Sequence, residues 1–304
     1  MVSSSPHIRA PQSIDTIMRD VLIALIPPLA VSIWLFGVYS LWMVVIGTVT
    51  AVLTETLLIH SRFDLKNLAG DGSAAVTGVI LALSLPPGTP WWMVVVGSAI
   101  SIGIGKQLFG GIGFNIFNPA LVGRAFLVVA WPSYMTHWTA PSQAVNFDAD
   151  TAATPLIAGS DAVSYSELFV GDVAGSIGET SVLAILIGAV FLLVRGHIDI
   201  RIPVGYMGAV ALVALITPGE DVVFHVFSGS AFFAAVYMAT CMVTSPYTKK
   251  GKLIFGIGCG LFTVIFRLFG ANPEGVTYAI LFMNALVPFI NKYTRPKIYG
   301  EVSG

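Results

Sequence analysis

The segment Gly72–Pro86, GSAAVTGVILALSLP, is matched later in the chain by Gly229–Pro246, GSAFFAAVYMATCMVTSP. Each segment begins with Gly-Ser-Ala, continues as an apolar stretch and ends with a serine close to a proline. An Asn-Pro pair follows each one, at Asn118-Pro119 and at Asn272-Pro273. Self-similarity at matched spacing indicates an internal repeat.

The composition excludes an ordinary soluble domain. Of the 304 residues, 56% are hydrophobic and 10% are charged, and the mean hydropathy is +0.85. Soluble domains carry about 25% charged residues, so this chain has too little polar surface to face water on all sides. The net charge of −1 argues against a nucleic-acid partner. Two cysteines, Cys241 and Cys259, are too few for a disulfide framework or a complete iron–sulfur site.

The apolar stretches predict about ten membrane-spanning helices, since a helix needs about 20 residues to cross the bilayer core. No small-residue cleavage site follows the first stretch, which is therefore predicted to be a retained span and not a signal peptide. The stretches over 74–86 and 119–131 are short enough to be tilted, broken or re-entrant. The predicted spans are 21–38, 41–59, 74–86, 91–105, 119–131, 180–194, 203–217, 222–243, 253–269 and 277–291.

The basic residues support this count. With a cytoplasmic N-terminus, every Lys and Arg outside the spans, Lys106 included, falls on the cytoplasmic side, as the positive-inside rule requires. Arg124 and Arg267 fall within spans. The one long external loop, 132–179, contains no Lys or Arg and holds most of the external acidic residues. A loop of this length indicates a function.

An odd number of spans per repeat means that the two copies face opposite directions in the membrane. The predicted fold class is therefore an all-α polytopic membrane protein, with about ten transmembrane helices in a five-plus-five inverted repeat containing broken or short helices. Such repeats place sites near the midplane, where free helix ends supply dipoles and backbone groups. The predicted divisions are a cytoplasmic N-terminus (1–20), a first repeat (21–131), an extracytoplasmic loop (132–179), a second repeat (180–291) and a cytoplasmic C-terminus (292–304).

The external loop contains the sequence DADTAATP over Asp148–Pro155. Its pattern Asp-x-x-Ser/Thr-x-Ala-Thr resembles the recognition sequence of bacterial flavin transferases, which join the last threonine hydroxyl to the phosphate of FMN as a phosphodiester. From average residue usage, a chance match in a chain of this length is on the order of one in a hundred. The resemblance implies covalent FMN on Thr154, with Asp148, Thr151 and Ala153 as recognition residues.

Further stretches extend the resemblance to nearly the whole chain. They are Ser5–Arg9, Asp71–Gly78, Leu85–Pro87, Pro90–Trp92, Lys106–Gly111 and Asn115–Ala120. With them, the chain resembles the family of D subunits of Rnf complexes, which are ion-translocating ferredoxin:NAD⁺ oxidoreductases. It is more distantly similar to the B subunits of the sodium-pumping NADH:quinone oxidoreductase.

The resemblance implies a multi-pass protein of the bacterial or archaeal cytoplasmic membrane with both termini in the cytoplasm. It implies covalent FMN and a second, non-covalent flavin, riboflavin, within the helices. The implied partners are the other subunits of the complex, including a flavoprotein on the outer face, a flavin transferase during maturation, and membrane lipid. One segment departs from the family pattern: Met238-Ala-Thr-Cys241 ends in a cysteine where an acid is common, so no ion site is carried over to it.

A polar, glycine-rich segment and one intramembrane arginine are candidates for the second flavin. Lys106, Asn115, Asn118 and Arg124 carry a cation or an amide suited to the carbonyls and ring nitrogens of a flavin. The structural alternative is that the glycines permit close helix contact and the asparagines satisfy backbone at a broken helix.

Glu55 is a candidate for an ion path, because a carboxylate within a span is costly and usually functional. It lies about one turn from the cytoplasmic end of its predicted span, so snorkelling to the interface is an equal alternative. The chain shows no spacing typical of a metal site and no set of residues typical of hydrolysis, so neither is predicted.

The sequence therefore predicts a membrane subunit of a redox-driven Na⁺ or H⁺ pump, which relays electrons and is not active alone. A passive channel or secondary transporter with the same inverted-repeat fold is the alternative, because fold does not determine function. A structural subunit without a cofactor is a third interpretation. The flavin-transferase pattern favours the redox interpretation.

Overall fold

A computed structural model describes residues 13–59, 70–139, 141, 163–218, 221–228, 230–269 and 275–296. Within these ranges the regular secondary structure is entirely helical. Four helical stretches are long and apolar enough to cross a membrane. They are Ile14–Phe36, Val38–Ile59, Trp91–Phe109 and Lys249–Leu268. Shorter apolar helices accompany them, so the described part of the chain is all-helical and has the character of a multi-pass membrane protein.

The helices divide into two sets along the chain. The first set is α1 (Ile14–Ala24), α2 (Ile26–Phe36), α3 (Val38–Ile59), α4 (Ser73–Leu83), α5 (Trp91–Gly103), α6 (Pro119–Ala130) and the short α7 (Pro132–Met135). The second set is α8 (Tyr165–Val170), α9 (Val182–Val194), α10 (Arg201–Ile216), α11 (Val222–Phe227), α12 (Ala231–Phe233), α13 (Lys249–Phe269) and α14 (Val276–Thr294). A π-helical turn, Ala234–Met238, continues α12.

Two predicted spans differ from the structure. The span predicted over 21–38 is two helices, α1 and α2, and α1 begins seven residues earlier at Ile14. The hydroxyl of Ser13 accepts the backbone N–H of Thr16 at 3.2 Å and caps that earlier start. The helix breaks at Leu25, just before Pro27-Pro28, since proline cannot donate to the preceding turn.

The span predicted over 222–243 is wrong as a single helix. It is divided into α11, α12 and the π-turn, and extended backbone at Ser228 ends α11. A π-turn widens the helix and commonly lies at functional positions. Each of the other predicted spans corresponds to one helix whose ends lie within a few residues of the prediction.

Helix α4 is the buried centre of the first set. Ten of its eleven residues are buried, and it packs against α3 and α5. A Cβ atom added at Gly78 would lie 2.5 Å from the carbonyl oxygen of Gly47, so α3 and α4 approach each other backbone to backbone. Small residues permit this close packing in membrane proteins.

The same device joins α10 and α13 in the second set. Cβ atoms added at Gly256 and Gly260 would lie 2.5 Å and 2.2 Å from the carbonyl oxygens of Ile202 and Tyr206. Helix α13 also packs against α14, and α14 contacts α6 of the first set. The two sets therefore meet through α6 and α14, beside the broken helix, and also where α9 packs against α1 and α2.

Candidate functional site

A cavity of about 100 Å³ lies where the two sets of helices meet, between α1, α4, the C-terminal end of α9 and the π-turn. Its apolar lining includes Met18, Ile80 and Val236. Its polar lining consists of Ser73, Thr77, Lys106, Asn115, Asn118, His197 and Thr240. Small-molecule sites are mostly apolar with a few placed polar groups, and this cavity has that character.

Lys106 forms a buried ion pair at one wall of the cavity. Its ammonium donates to Oε1 of Glu55 and to Oγ of Ser73, and the side chains of Lys106 and Glu55 are 3% and 12% exposed. Gln107 donates to the same Glu55 oxygen at 2.9 Å. Lys106 was predicted in a cytoplasmic connection, but these contacts hold it inside the protein. An ammonium has three N–H donors, and the bonds to Glu55 and Ser73 use two of them.

The start of α4 explains the Gly-Ser-Ala motif. Gly72 has φ +78°, in the left-handed region where glycine is favoured, and it precedes the first turn of α4. Oδ1 of Asp71 accepts both the backbone N–H of Ser73, at 2.9 Å, and its hydroxyl. A carboxylate at a helix N-terminus is stabilised by the helix dipole. The motif therefore begins α4 and directs Ser73 toward Lys106.

Asn118 connects the two sets of helices. Its backbone N–H donates to Oδ1 of Asn284 at 3.1 Å, and its Nδ2 donates to the carbonyl of Met238 at 3.0 Å. Its own Oδ1 caps α6 by accepting the N–H of Ala120 at 3.1 Å. Asn284 in turn donates to the carbonyl of Thr244 at 3.0 Å. The asparagines thus satisfy backbone groups at the broken helix, as the structural alternative anticipated.

Arg124 lies apart from the cavity lining, in a buried ion pair with Glu179. The two groups are 2.9 Å apart, and each side chain is 2% exposed. Beside this pair, the N–H groups of Ile177 and Gly178 donate to the carbonyls of Leu85 and Leu83, at 2.9 Å and 2.7 Å. The last residues of the loop 132–179 therefore close the C-terminal end of α4.

A third buried carboxylate, Asp20 on α1, is 1% exposed overall. Its Oδ2 accepts from Nε of Arg195 at 2.9 Å and lies 2.7 Å from Nε2 of His197. Sequence reasoning missed this cluster. The available signals were an acid at the start of an apolar stretch and a histidine beside an arginine in the short connection between the spans 180–194 and 203–217.

The structure brings some of the predicted site residues together. Lys106, Asn115 and Asn118 line one cavity, and Glu55 contacts it through Lys106. Cys241 also lines the cavity. The flavin-transferase motif lies outside the described residues: Asp148, Thr151, Ala153 and Thr154. Across the described ranges, no group of three or more His, Cys, Asp or Glu side chains is arranged to hold a metal ion.

Comparisons with known proteins extend over the whole length. The chain is 46% identical over 306 residues to the D subunit of the Na(+)-translocating ferredoxin:NAD(+) oxidoreductase complex of Acetobacterium woodii, covering 98% of this chain and 95% of the relative. It is 41% identical over 318 residues to the D subunit of the proton-translocating ferredoxin:NAD(+) oxidoreductase complex of Clostridium ljungdahlii, covering 98% and 96%.

A more distant relative is the D subunit of the ion-translocating oxidoreductase complex of Halorhodospira halophila, 34% identical over 338 residues and covering 98% of this chain and 95% of the relative. The model of the NQR2, RnfD, RnfE family matches residues 1–300. The predicted resemblance is confirmed, and the chain belongs to the NQR2, RnfD, RnfE family.

Proposed function

We propose that this chain is the membrane D subunit of an Rnf-type, ion-translocating ferredoxin:NAD⁺ oxidoreductase. The observation that carries the proposal is the likeness to the D subunits of such complexes over 98% of the chain. The protein holds flavins and relays electrons, while catalysis of the full reaction belongs to the assembled complex. The two relatives are named for different ions, Na⁺ and H⁺, so the proposal covers either as the coupling ion.

The proposed architecture is a ten-span, five-plus-five inverted repeat with both termini in the cytoplasm of a bacterium or archaeon. The proposed repeats are 21–131 and 180–291, joined by the external loop 132–179. Matching contacts support this arrangement: α3 packs on α5 and α5 on α6 in one repeat, and α10 packs on α13 and α13 on α14 in the other. In both, a short buried helical segment follows a Gly-Ser-Ala motif.

The proposed attachment site of FMN is the hydroxyl of Thr154. The Asp148–Thr154 pattern supports it, because a flavin transferase needs an exposed alcohol with small neighbours. An external position also suits electron entry from a flavoprotein subunit on the outer face. The proposed partners are that flavoprotein, the other subunits of the complex, the transferase during maturation, and lipid.

Expression with a flavin transferase tests this attachment. We expect a fluorescent band on a denaturing gel for the wild type and for Thr136→Ala, which removes an exposed hydroxyl from the same external side. Thr154→Ala should give no fluorescent band, because no phosphodiester forms. A dark wild-type band, or fluorescence that persists in Thr154→Ala, would contradict the proposal. A wild-type band without fluorescence would also favour the alternative, a passive channel or secondary transporter.

The cavity is the proposed site of a second, non-covalent flavin, of which riboflavin is the simplest. Its lining fits the chemistry of the ring: apolar walls for the flat faces, with Lys106 and Asn115 as donors for ring oxygens and nitrogens. Asn118 shapes this wall, since its amide is engaged with Met238 and Ala120. Arg124, named as a candidate from the sequence, is assigned to the ion pair with Glu179 instead.

Extraction of the purified chain tests the second flavin. We expect denaturation of Thr154→Ala to release about one flavin per chain, because the covalent FMN is absent from this variant. Asn115→Ala in the same background should lower that amount, while Gln107→Ala should not, because Gln107 contacts Glu55 and is not in the cavity lining. Absence of extractable flavin from Thr154→Ala would contradict the assignment.

The proposed ion path passes Glu55. This carboxylate is 12% exposed, whereas the Asp20 side chain is 2% exposed. A cation that replaced the Lys106 ammonium would meet the oxygens of Glu55, Ser73 and Asp71. Oxygen ligands suit Na⁺, and a carboxylate suits a proton equally well. Glu55→Gln should therefore lower ion transport by the assembled complex in vesicles more than it lowers electron transfer.

A further inference from the structure

A chain of polar groups connects the surface of the protein to the cavity. The Arg195 side chain is 47% exposed, and Asp20 and His197, which follow it, are 2% and 4% exposed. Arg195 donates to Asp20, which also binds His197, and His197 forms part of the cavity wall. The three residues come from α1 and from the connection between α9 and α10.

Asp20 does more than neutralise charge at this position. Its Oδ2 lies 2.7 Å from Nε2 of His197, a hydrogen bond that fixes the orientation of the ring. When Nε2 carries the hydrogen of that bond, Nδ1 is the nitrogen that binds or releases a proton. The Asp20 carboxylate also lies within ion-pair distance of the ring, so a proton held on His197 has a negative partner beside it.

The other charged and titratable groups around the cavity have different positions. Lys106, on another wall, is held by Glu55 and Ser73, and the hydroxyl of Tyr237 donates to the carbonyl of Ala24. Asp199, two residues beyond His197, is engaged with Arg201 and Lys252. His197 is thus the cavity-lining group that Asp20 and Arg195 connect to the surface.

We propose that His197, oriented by Asp20, is the proton donor for the redox group in the cavity. The inference rests on the proposed flavin site. As the ring receives one electron from a neighbouring redox carrier of the complex, the His197 imidazolium gives one proton to a ring nitrogen. The positive charge on the histidine is thereby lost, and the net charge of the ring stays unchanged. The neutral imidazole is then reprotonated by an acid from the solvent, while Arg195, which stays charged, holds Asp20 and does not carry the proton.

The physical reason is the cost of buried charge. An electron added to an organic ring in an apolar cavity creates an anion, which is expensive unless a proton arrives with it. Lys106 can offset part of that charge, but its ammonium remains committed to Glu55 and Ser73. A histidine linked to the surface supplies the proton without requiring the cavity to open.

The experiment uses the full chain in the Thr154→Ala background, so that only the non-covalent flavin responds. Extractable flavin is measured first, and then dithionite reduction is followed by stopped flow, with flavin absorbance and a pH-indicator dye recorded together. We expect His197→Gln to retain flavin within about twofold and to slow proton uptake by about tenfold or more, the scale of general acid catalysis. His137→Gln, at an exposed histidine, should behave as the parent does.

Added imidazole should restore rapid proton uptake to His197→Ala, which a purely structural role would not permit. Proton uptake at the parental rate in His197→Gln would overturn the proposal. If that variant loses its flavin, Asp20→Asn keeps the imidazole in the cavity wall; it should slow uptake, and an unchanged rate would overturn the proposal. A parent chain that releases no flavin would instead contradict the flavin site itself.

Discussion

The two ends of α4 satisfy their polar groups in different ways. At the N-terminal end, the side chains of Lys106, Glu55 and Asp71 surround Ser73 next to the cavity. At the C-terminal end, backbone N–H groups from 177–178 close the last carbonyls, beside an ion pair that is 2% exposed on both sides. The first end is built from side chains and the second largely from backbone.

This difference indicates that the N-terminal end of α4 belongs to a binding site and that the C-terminal end stabilises the fold. Side-chain contacts beside a cavity can exchange partners when a ligand or an ion enters. Backbone contacts and a fully buried pair exchange only when the fold opens, because either partner left alone carries the full cost of desolvation. We therefore expect substitutions at the C-terminal end to affect stability, and substitutions at the N-terminal end to affect ligands as well.

Arg124→Met should have the largest effect on stability, because it leaves Glu179 buried without its guanidinium partner. Loss of one member of a buried pair costs about 3–5 kcal/mol. The thermal unfolding midpoint in detergent should fall strongly. The double variant Arg124→Met/Glu179→Met should recover much of the loss, since no unpaired charge remains. Equal losses of stability in the single and double variants would show that the Arg124–Glu179 ion pair is not the cause of the destabilisation.

Lys106→Met should destabilise the fold less, by about 1–3 kcal/mol, because Glu55 remains partly exposed and keeps the hydrogen bond from Gln107. It should also release the non-covalent flavin, which the Arg124→Met/Glu179→Met variant should retain. Unfolding midpoints and extractable flavin, measured on the same preparations, check both statements. Flavin loss from both Lys106→Met and Arg124→Met/Glu179→Met would contradict the expectation that only the N-terminal end of α4 affects the ligand.

Gly178→Ala should perturb the C-terminal end by about 1–2 kcal/mol, the scale of modest overpacking. Its new Cβ would lie 2.7 Å from Cβ of Leu83 and would disturb the N–H contact to the Leu83 carbonyl. Gly88→Ala is the matched control, because nothing lies within 4 Å of the corresponding Cβ position. Thermal unfolding of both variants should separate them, and equal midpoints would count against the close contact.

Asp199, in the connection between α9 and α10, should give the smallest effect. Partial burial raises the pKa of its carboxyl, but the N–H of Arg201 and the Lys252 ammonium outweigh burial and hold the pKa below its usual range. A depressed pKa in the folded state adds stability above the unfolded pKa, near 4, and the gain is lost as the pH falls through the folded value.

We therefore expect Asp199→Asn to lower the unfolding midpoint slightly at pH 7, by less than about 1 kcal/mol. The difference from wild type should shrink as the pH is lowered below about 4. A difference that grows under acid would contradict this sign.

The sequence was informative where local patterns decide the structure. Apolar length located most helices within a few residues, and Asn118-Pro119 marked the start of α6, where asparagine caps and proline begins the first turn. The break within 222–243 was not predicted as such, because its apolar residues continue through α11 and α12 without a proline. Packing, and not composition, separates those segments.

The candidate site was predicted only in part, because its partners are distant along the chain. Lys106 and Asn115 were selected from one segment, but the contacts of Lys106 with Glu55 and of Asp20 with His197 span 51 and 177 residues. Arg124 was selected as a candidate for the second flavin, but its partner Glu179 lies at the end of the long loop, 55 residues along the chain. Sequence pattern identifies the charged residues that are costly to bury. Only the fold determines which partners offset that cost.

The hydrogen bonds of Asn118 to Asn284 and Met238 bear on how such a protein moves. They tie the start of α6 to α14 and to the π-turn, so a tilt of one set of helices against the other would strain two buried hydrogen bonds. A rocking transporter needs a compliant contact between its halves, and this contact is held by two buried hydrogen bonds. We therefore expect the protein to act as a stiff frame, in which electrons and small ions move past side chains while the helices stay in place.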